Sequence, residues 1–217
     1  MKVQVLSSKN SWLNLNKKKF IINYFKKFTK KISLINDFKK INKDTELLII
    51  LSFYKIIPEK YLKISRYNLV VHESDLPRGK GHSPLYWQIL QGKAKIIFTL
   101  FEASKKMDSG KYYFKKKFFF KDTLLYDEIK NLQLKYALEL VSKFVKKYKK
   151  NKLIKSYNQN GKSGYYKMRN KNFSKINLNK SIKQQINLLR ICSNKKFPAF
   201  FYYKSNKYVI NIFKNND

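Results

Sequence analysis

The run LLIIL at residues 47–51 is apolar on both faces of any strand it forms. Such a strand must be covered from two sides, as in a parallel sheet sandwiched between helices. VQVL at 3–6 and NLVVH at 68–72 repeat the pattern, and ISLIND at 32–37 supplies a further strand. Helical stretches lie between them. Residues 17–31 carry Phe, Ile and Tyr among lysines, which predicts a basic amphipathic helix with lysine stems along its rim. IPEKYLKI at 57–64 places Pro58 in a first helical turn. The alternation predicts an α/β fold, a three-layer open sheet of Rossmann-like type.

The rest of the chain continues less regularly. Residues 73–82 read as a glycine-bearing loop, and SPLYWQILQG at 83–92 as a helix with Ser83 as cap, Pro84 at its first position and Gly92 past its end. KIIFTLFEA at 95–103 is a strand, and a turn at Asp108–Gly110 leads into another that ends near 120. Residues 122–147 predict a long helix capped by Asp122 or Thr123. Residues 157–172 hold two glycines and no steady periodicity. The expected division is therefore a main domain over 1–150 and a C-terminal extension over 151–217. In the extension, 181–191 reads as a short amphipathic helix and 197–213 as a hairpin turning at Ser205–Asn206.

Charge narrows the partners without choosing one. Lys and Arg number 49 against 13 Asp and Glu, a net +36, which favours nucleic acid, phosphorylated small molecules or an acidic membrane surface. The lysines run through every segment instead of gathering on one arm, so compositional background carries comparable weight. The single cysteine, Cys192, rules out an internal disulfide framework and a cysteine metal cluster, and its setting NLLRIC predicts a buried thiol. With two histidines and one cysteine, no metal site is expected. No apolar run approaches a membrane span, and MKVQVLSS does not read as a signal peptide, so a cytoplasmic protein without membrane insertion is expected.

The scarce residues gather at 68–92, NLVVHESDLPRGKGHSPLYWQILQG. His72 ends a strand, where open α/β sheets bind ligands, and imidazole can accept and return a proton near neutrality. Asp108, in a tight DSG turn, is its natural partner, because a carboxylate fixes the imidazole tautomer. Other chemistries are excluded: HES lacks the second histidine of HExxH, PRGKGHSP lacks the GK[ST] of a phosphate loop, and there is no GxSxG.

HESDLPRGKGHSPLYWQILQG resembles the core of the folate-dependent formyltransferases, which include methionyl-tRNA formyltransferase, glycinamide ribonucleotide formyltransferase and the sugar N-formyltransferases. The resemblance lies in His72, Ser74, Leu76-Pro77, the Arg78–Gly81 loop, the Pro84–Gly92 helix and the turn Asp108-Ser109-Gly110. The tail NKSIKQQINLLRICSNKKFPAFFYY is similar to the short sugar-modifying branch. The resemblance implies transfer of a formyl group from the co-substrate 10-formyltetrahydrofolate to an amine, with His72 and Asp108 catalytic. It implies a folate pocket at Ser52, Phe53, Tyr54, Pro77, Gly79 and Met107. It places the acceptor at Ser74, Arg78, Lys80, Gly81 and His82.

The family's asparagine, two residues before the histidine, is Val70 here, which has no donor. Asn68 lies on the same strand face but about 6.6 Å back along the strand, too far to substitute. A loop N–H, Ser74 or protonated His72 remain as donors. Trp87 and His82 are expected to pack. The favoured acceptor is a nucleotide-linked amino sugar, since 157–217 looks short for the RNA-binding domain of methionyl-tRNA formyltransferase. The tRNA substrate is the alternative, a homodimer stays open, and an inactive, lysine-rich nucleic-acid binder is the third reading.

Overall fold

LLIIL folds as expected into the third strand of a mixed sheet. The protein is described by a computed structural model covering residues 1–13 and 15–215. Along the chain run β1 (Val3–Leu6), α1 (Leu15–Lys26), β2 (Ile32–Ile35), β3 (Leu47–Ile50), α2 (Glu59–Leu62), β4 (Tyr67–His72), β5 (Lys80–Gly81) and α3 (Pro84–Leu90). Then come β6 (Lys95–Glu102), β7 (Tyr112–Phe119), α4 (Tyr126–Lys149), β8 (Tyr165–Tyr166), α5 (Ile182–Arg190), β9 (Ala199–Tyr203) and β10 (Asn206–Ile210). The main sheet has the order β2-β1-β3-β4-β6-β7. β1 to β4 pair in parallel, whereas β6 runs antiparallel to β4 and β7 antiparallel to β6.

Period-two alternation splits the strands between two cores. Val3, Val5, Leu47, Ile49 and Leu69 face the larger one, with Ile21 and Phe25 of α1, Leu85 and Ile89 of α3, and Val141 and Phe144 of α4. Leu6, Leu48 and Ile50 face a smaller core closed by Ile41, Ile57 and Leu62. Among the described residues its regular cover is α2 and a short 3-10 turn at Phe38–Lys40. That thin cover leaves the β4 face carrying Asn68, Val70 and His72 to be roofed by loops.

Several local expectations need correction. Ser83 precedes α3 but makes no side-chain cap, because its backbone is left-handed at φ 52°. Neither Asp122 nor Thr123 caps α4; the helix starts after Leu125, whose N–H is accepted by the Glu128 carboxylate at 2.7 Å. The β9–β10 turn is Lys204–Ser205, one residue earlier than read, since Tyr203 pairs with Asn206. Ser181 does cap α5, accepting from the Gln184 N–H. Cys192 is buried, and burial pushes its thiol up to about 11. No helix among the described residues is long and apolar enough to cross a membrane, and they hold no cluster of three metal-ligating side chains.

Candidate active site

β4 delivers His72 at its C-terminal end, 7% exposed, on the thinly covered face. The imidazole Nε2 lies 2.8 Å from the Gly79 carbonyl and 3.8 Å from Asp108 Oδ2. A carbonyl only accepts, so Nε2 carries the proton and Nδ1 is the basic nitrogen of the neutral ring. Asp108 Oδ2 accepts the Gly81 N–H at 2.9 Å. One carboxylate therefore joins the imidazole to the glycine loop.

The loop is held from below. Gln88 Nε2 donates to the Glu73 carbonyl at 2.6 Å, Thr99 Oγ1 to the Ser74 carbonyl at 2.6 Å, and Lys115 Nζ to Asp75 and the Leu76 carbonyl at 2.6 and 2.5 Å. Behind it Gln133 Nε2 donates to Glu73 Oε1 at 2.5 Å, and Gln133 Oε1 accepts from Lys130 Nζ at 3.0 Å. Lys130 sits among the rings of Trp12, Tyr86 and Tyr126, and burial pulls its ammonium down to about 7. Desolvation also raises the buried Tyr86 phenol well above its usual range.

A cover comes from a segment in which the sequence showed no pattern. β8 pairs in parallel with β5, so that the Lys80 N–H donates to the Gly164 carbonyl and the His82 N–H to the Tyr166 carbonyl. Tyr166 stacks on Trp87 at 6.1 Å between ring centres. Gly79 is required there: its φ is 70°, and a Cβ would lie 2.9 Å from Tyr166 Cε2. Gln159 donates to the Asp108 and Gly110 carbonyls at 3.0 and 2.8 Å. Sequence reading missed both Gln159 and Tyr166. A two-residue strand has no periodicity, and a glutamine contact to main chain has no sequence signature; the only local hint was the Gly161 and Gly164 pair.

The structure brings His72, Ser74, Pro77, Gly79, Lys80, Gly81 and Asp108 together, but not all in the expected posture. Ser74 Oγ is buried with no partner among the described residues. Lys80 is buried with its amine on Ser109 Oγ at 2.9 Å, turned into the DSG turn. Arg78 is exposed, and so is His82, which does not pack as expected. Trp87 packs edge-on to Phe173 and donates to the Lys167 carbonyl. Met107 and Tyr54 are 44% and 65% exposed; Phe53 is half-buried against Phe38, and Ser52 Oγ meets the Tyr54 hydroxyl at 2.9 Å. Asn68 is spent elsewhere: it accepts from Ser65 Oγ and donates to the Leu62 carbonyl and Glu102 Oε1.

The sequence profile described as formyl transferase matches residues 3–139, more than half of the chain. The chain belongs to the formyl transferase family. Among curated relatives, the methionyl-tRNA formyltransferase of Acetivibrio thermocellus is 29% identical over 164 residues, 75% of this chain and 52% of that one. The chain spans about half the length of the curated formyl transferases it matches first. Among solved structures, the methionyl-tRNA formyltransferase from Clostridium thermocellum superposes with a TM-score of 0.75 at 17% identity, over 100% of this chain and 96% of that one. An N-formyltransferase from Helicobacter canadensis, in complex with folinic acid and dTDP-3-aminofucose, gives a TM-score of 0.69 at 19% identity over 94% and 85%. At these identities the structures establish the shared formyl transferase fold.

Proposed function

We propose that the protein moves a formyl group from 10-formyltetrahydrofolate to a primary amine, with His72 and Asp108 as its catalytic pair. The observation that carries this is the meeting of His72 Nε2 and Asp108 Oδ2 at 3.8 Å in a loop-roofed site. A reduced folate in a related fold supports the choice of donor. Tyr54 and Ile56, which follow β3, and Met107, which follows β6, expose apolar surface, and Phe53 is half-buried next to Tyr54 in the chain; such surface suits a flat pterin.

The co-substrate, when bound, supplies the formyl carbon and departs as tetrahydrofolate. His72 Nδ1 takes the proton of the attacking amine while Nε2–H stays on the Gly79 carbonyl. The Asp108 carboxylate offsets the positive charge the ring then acquires, and the ring returns that proton to the folate nitrogen as its bond to the formyl carbon breaks. Val70 has no donor and the Asn68 amide is engaged, so the unpartnered Ser74 hydroxyl is assigned to the formyl oxygen. Residues 1–150 form the catalytic unit in this reading, and 151–217 an extension that completes its roof.

For the acceptor, the relatives reverse the order that the C-terminal tail suggested. The methionyl-tRNA formyltransferases among the curated relatives, together with the +36 charge, favour the amine of methionine carried on tRNA. A nucleotide-linked amino sugar is the second reading, favoured by the fold match to the enzyme bound to dTDP-3-aminofucose. An inactive nucleic-acid binder would have no use for an imidazole and a carboxylate held together.

The test is incubation with 10-formyltetrahydrofolate and either methionyl-tRNA or dTDP-linked amino sugars, following tetrahydrofolate release and product mass. Formylated methionyl-tRNA is the expected product. Formylated sugar alone would select the second reading, and no release with either acceptor would overturn the enzyme assignment.

A further inference from the structure

The catalytic carboxylate sits on an unfavourable backbone. Asp108 has φ 50°, a left-handed conformation that a side-chain-bearing residue rarely adopts unless its surroundings impose it. Ser109 Oγ donates to the Met107 carbonyl at 2.9 Å and accepts from Lys80 Nζ, which fixes one side of the turn. The other side is fixed from far along the chain. Gln159 spends both N–H donors on this turn, one on the carbonyl of Asp108 and one on that of Gly110. Gly110 is itself wedged, since a Cβ there would lie 1.7 Å from the Glu102 carbonyl oxygen.

The remaining Gln159 atom strengthens the point. Oε1 is buried with no partner among the described residues. Two carbonyls face the amide, so its nitrogen points at them and its oxygen points away. An apolar side chain would make neither bond. The amide therefore serves the turn more than the packing around it.

We propose that Gln159 is a positioning residue for Asp108, supplied from outside the matched family region, which holds the left-handed turn so that the carboxylate faces His72. The proposal rests on the formyl-transfer reading for its kinetic consequence, but its structural half can be measured without any substrate. The Gly81 N–H reports the carboxylate directly, because Asp108 Oδ2 is its acceptor, while the neighbouring Lys80 and His82 N–H groups bond to the Gly164 and Tyr166 carbonyls.

The experiment compares Gln159→Leu, Gln159→Glu and, as control, Asn158→Ala, the exposed neighbour on the same segment. Residue-resolved hydrogen exchange, melting temperature and steady-state kinetics are measured on each full chain. In both Gln159 variants the Gly81 amide should exchange at least about tenfold faster, with β3 and β4 amides unchanged. The kcat should fall about 10- to 100-fold with KM for the folate within about twofold, as for a misplaced catalytic group. Gln159→Glu should be the worse of the two, because its carboxylate would face two carbonyl oxygens. Asn158→Ala should match the wild type in every measurement. Unchanged Gly81 exchange in a folded Gln159→Leu protein overturns the proposal, whatever the kinetics. Normal kcat despite faster exchange overturns the positioning role. Faster exchange in a protein that transfers no formyl group at all supports the clamp and sinks the formyl-transfer reading instead.

Discussion

His72 Nε2 donates its proton to the Gly79 carbonyl at 2.8 Å, which leaves Nδ1 as the basic nitrogen of the neutral ring. The tautomer is thus set by main chain, with the Asp108 carboxylate a further 1.0 Å out at 3.8 Å. Replacing His72 with Ala removes the proposed base and its part-buried hydrogen bond to the Gly79 carbonyl. Formyl transfer should fall by about 10²- to 10⁴-fold with the protein still folded. Circular dichroism and tetrahydrofolate release measure the two parts, and near-normal turnover would remove His72 from the chemistry.

Asp108→Asn separates charge from shape. The amide oxygen can still accept the Gly81 N–H, so the loop should hold. What disappears is the negative charge beside the imidazole. A loss in kcat on the order of 10²-fold, with an unchanged melting temperature, is expected. Full activity in this variant would make the carboxylate a turn-former only.

Gly79→Ala tests the roof. A methyl group at φ 70° is strained, and it would meet Tyr166 Cε2 at 2.9 Å and Ser74 Cβ at 3.0 Å. Tyr166 must move, which loosens the β5–β8 pairing. Destabilisation of about 2–4 kcal/mol is expected, measured by urea unfolding. Adding Tyr166→Ala should return part of it, since the contact would be gone while the backbone strain stays.

What could be read from the chain follows from how local each signal is. LLIIL announced a strand buried on both faces, and β3 is one. The same signal in KIIFTLFE gave no direction, because an apolar run is equally apolar read either way; β6 turned out antiparallel. His72 and Asp108 were legible together because a known constellation links them across the chain. Strand spacing already placed the Asn68 amide too far back to serve, but only tertiary structure shows what occupies it: Ser65, Leu62 and Glu102. Gln159 and Tyr166 were invisible because their partners lie far away in sequence: backbone carbonyls for Gln159, and the Trp87 ring and the β5 backbone for Tyr166.

The C-terminal hairpin offers a stability test remote from the site. Lys204 and Ser205 form its two-residue turn with φ of 44° and 66°. Two left-handed positions suit Asn-Gly and are unfavourable for lysine and serine. The pair Lys204→Asn with Ser205→Gly should stabilise the hairpin by roughly 0.5–1.5 kcal/mol. A melting temperature that fails to rise would mean the turn relaxes to another form in solution.

Lys130 makes stability depend on pH. Burial among Trp12, Tyr86 and Tyr126 lowers its pKa to about 7, against the attraction of Glu73 and with the repulsion of Arg169, Lys17 and Lys196. In the unfolded chain the amine keeps its ordinary value of 10.5. Between those two values the unfolded chain binds a proton that the native protein does not. Stability should therefore rise from about pH 7 toward pH 10, by at most about 1.4 kcal/mol per pH unit from this group, and lose that gain as pH falls back. The buried phenols of Tyr86 and Tyr113, raised by desolvation, act in the opposite sense only above pH 10. Lys130→Met keeps the length of the side chain and the aromatic contacts but carries no titrating group. Its unfolding free energy should lose the rise over this window and exceed the wild type's at pH 6, where the native amine is charged and desolvated. Urea titrations at several pH values decide it: parallel curves for the two proteins would place the pH dependence elsewhere.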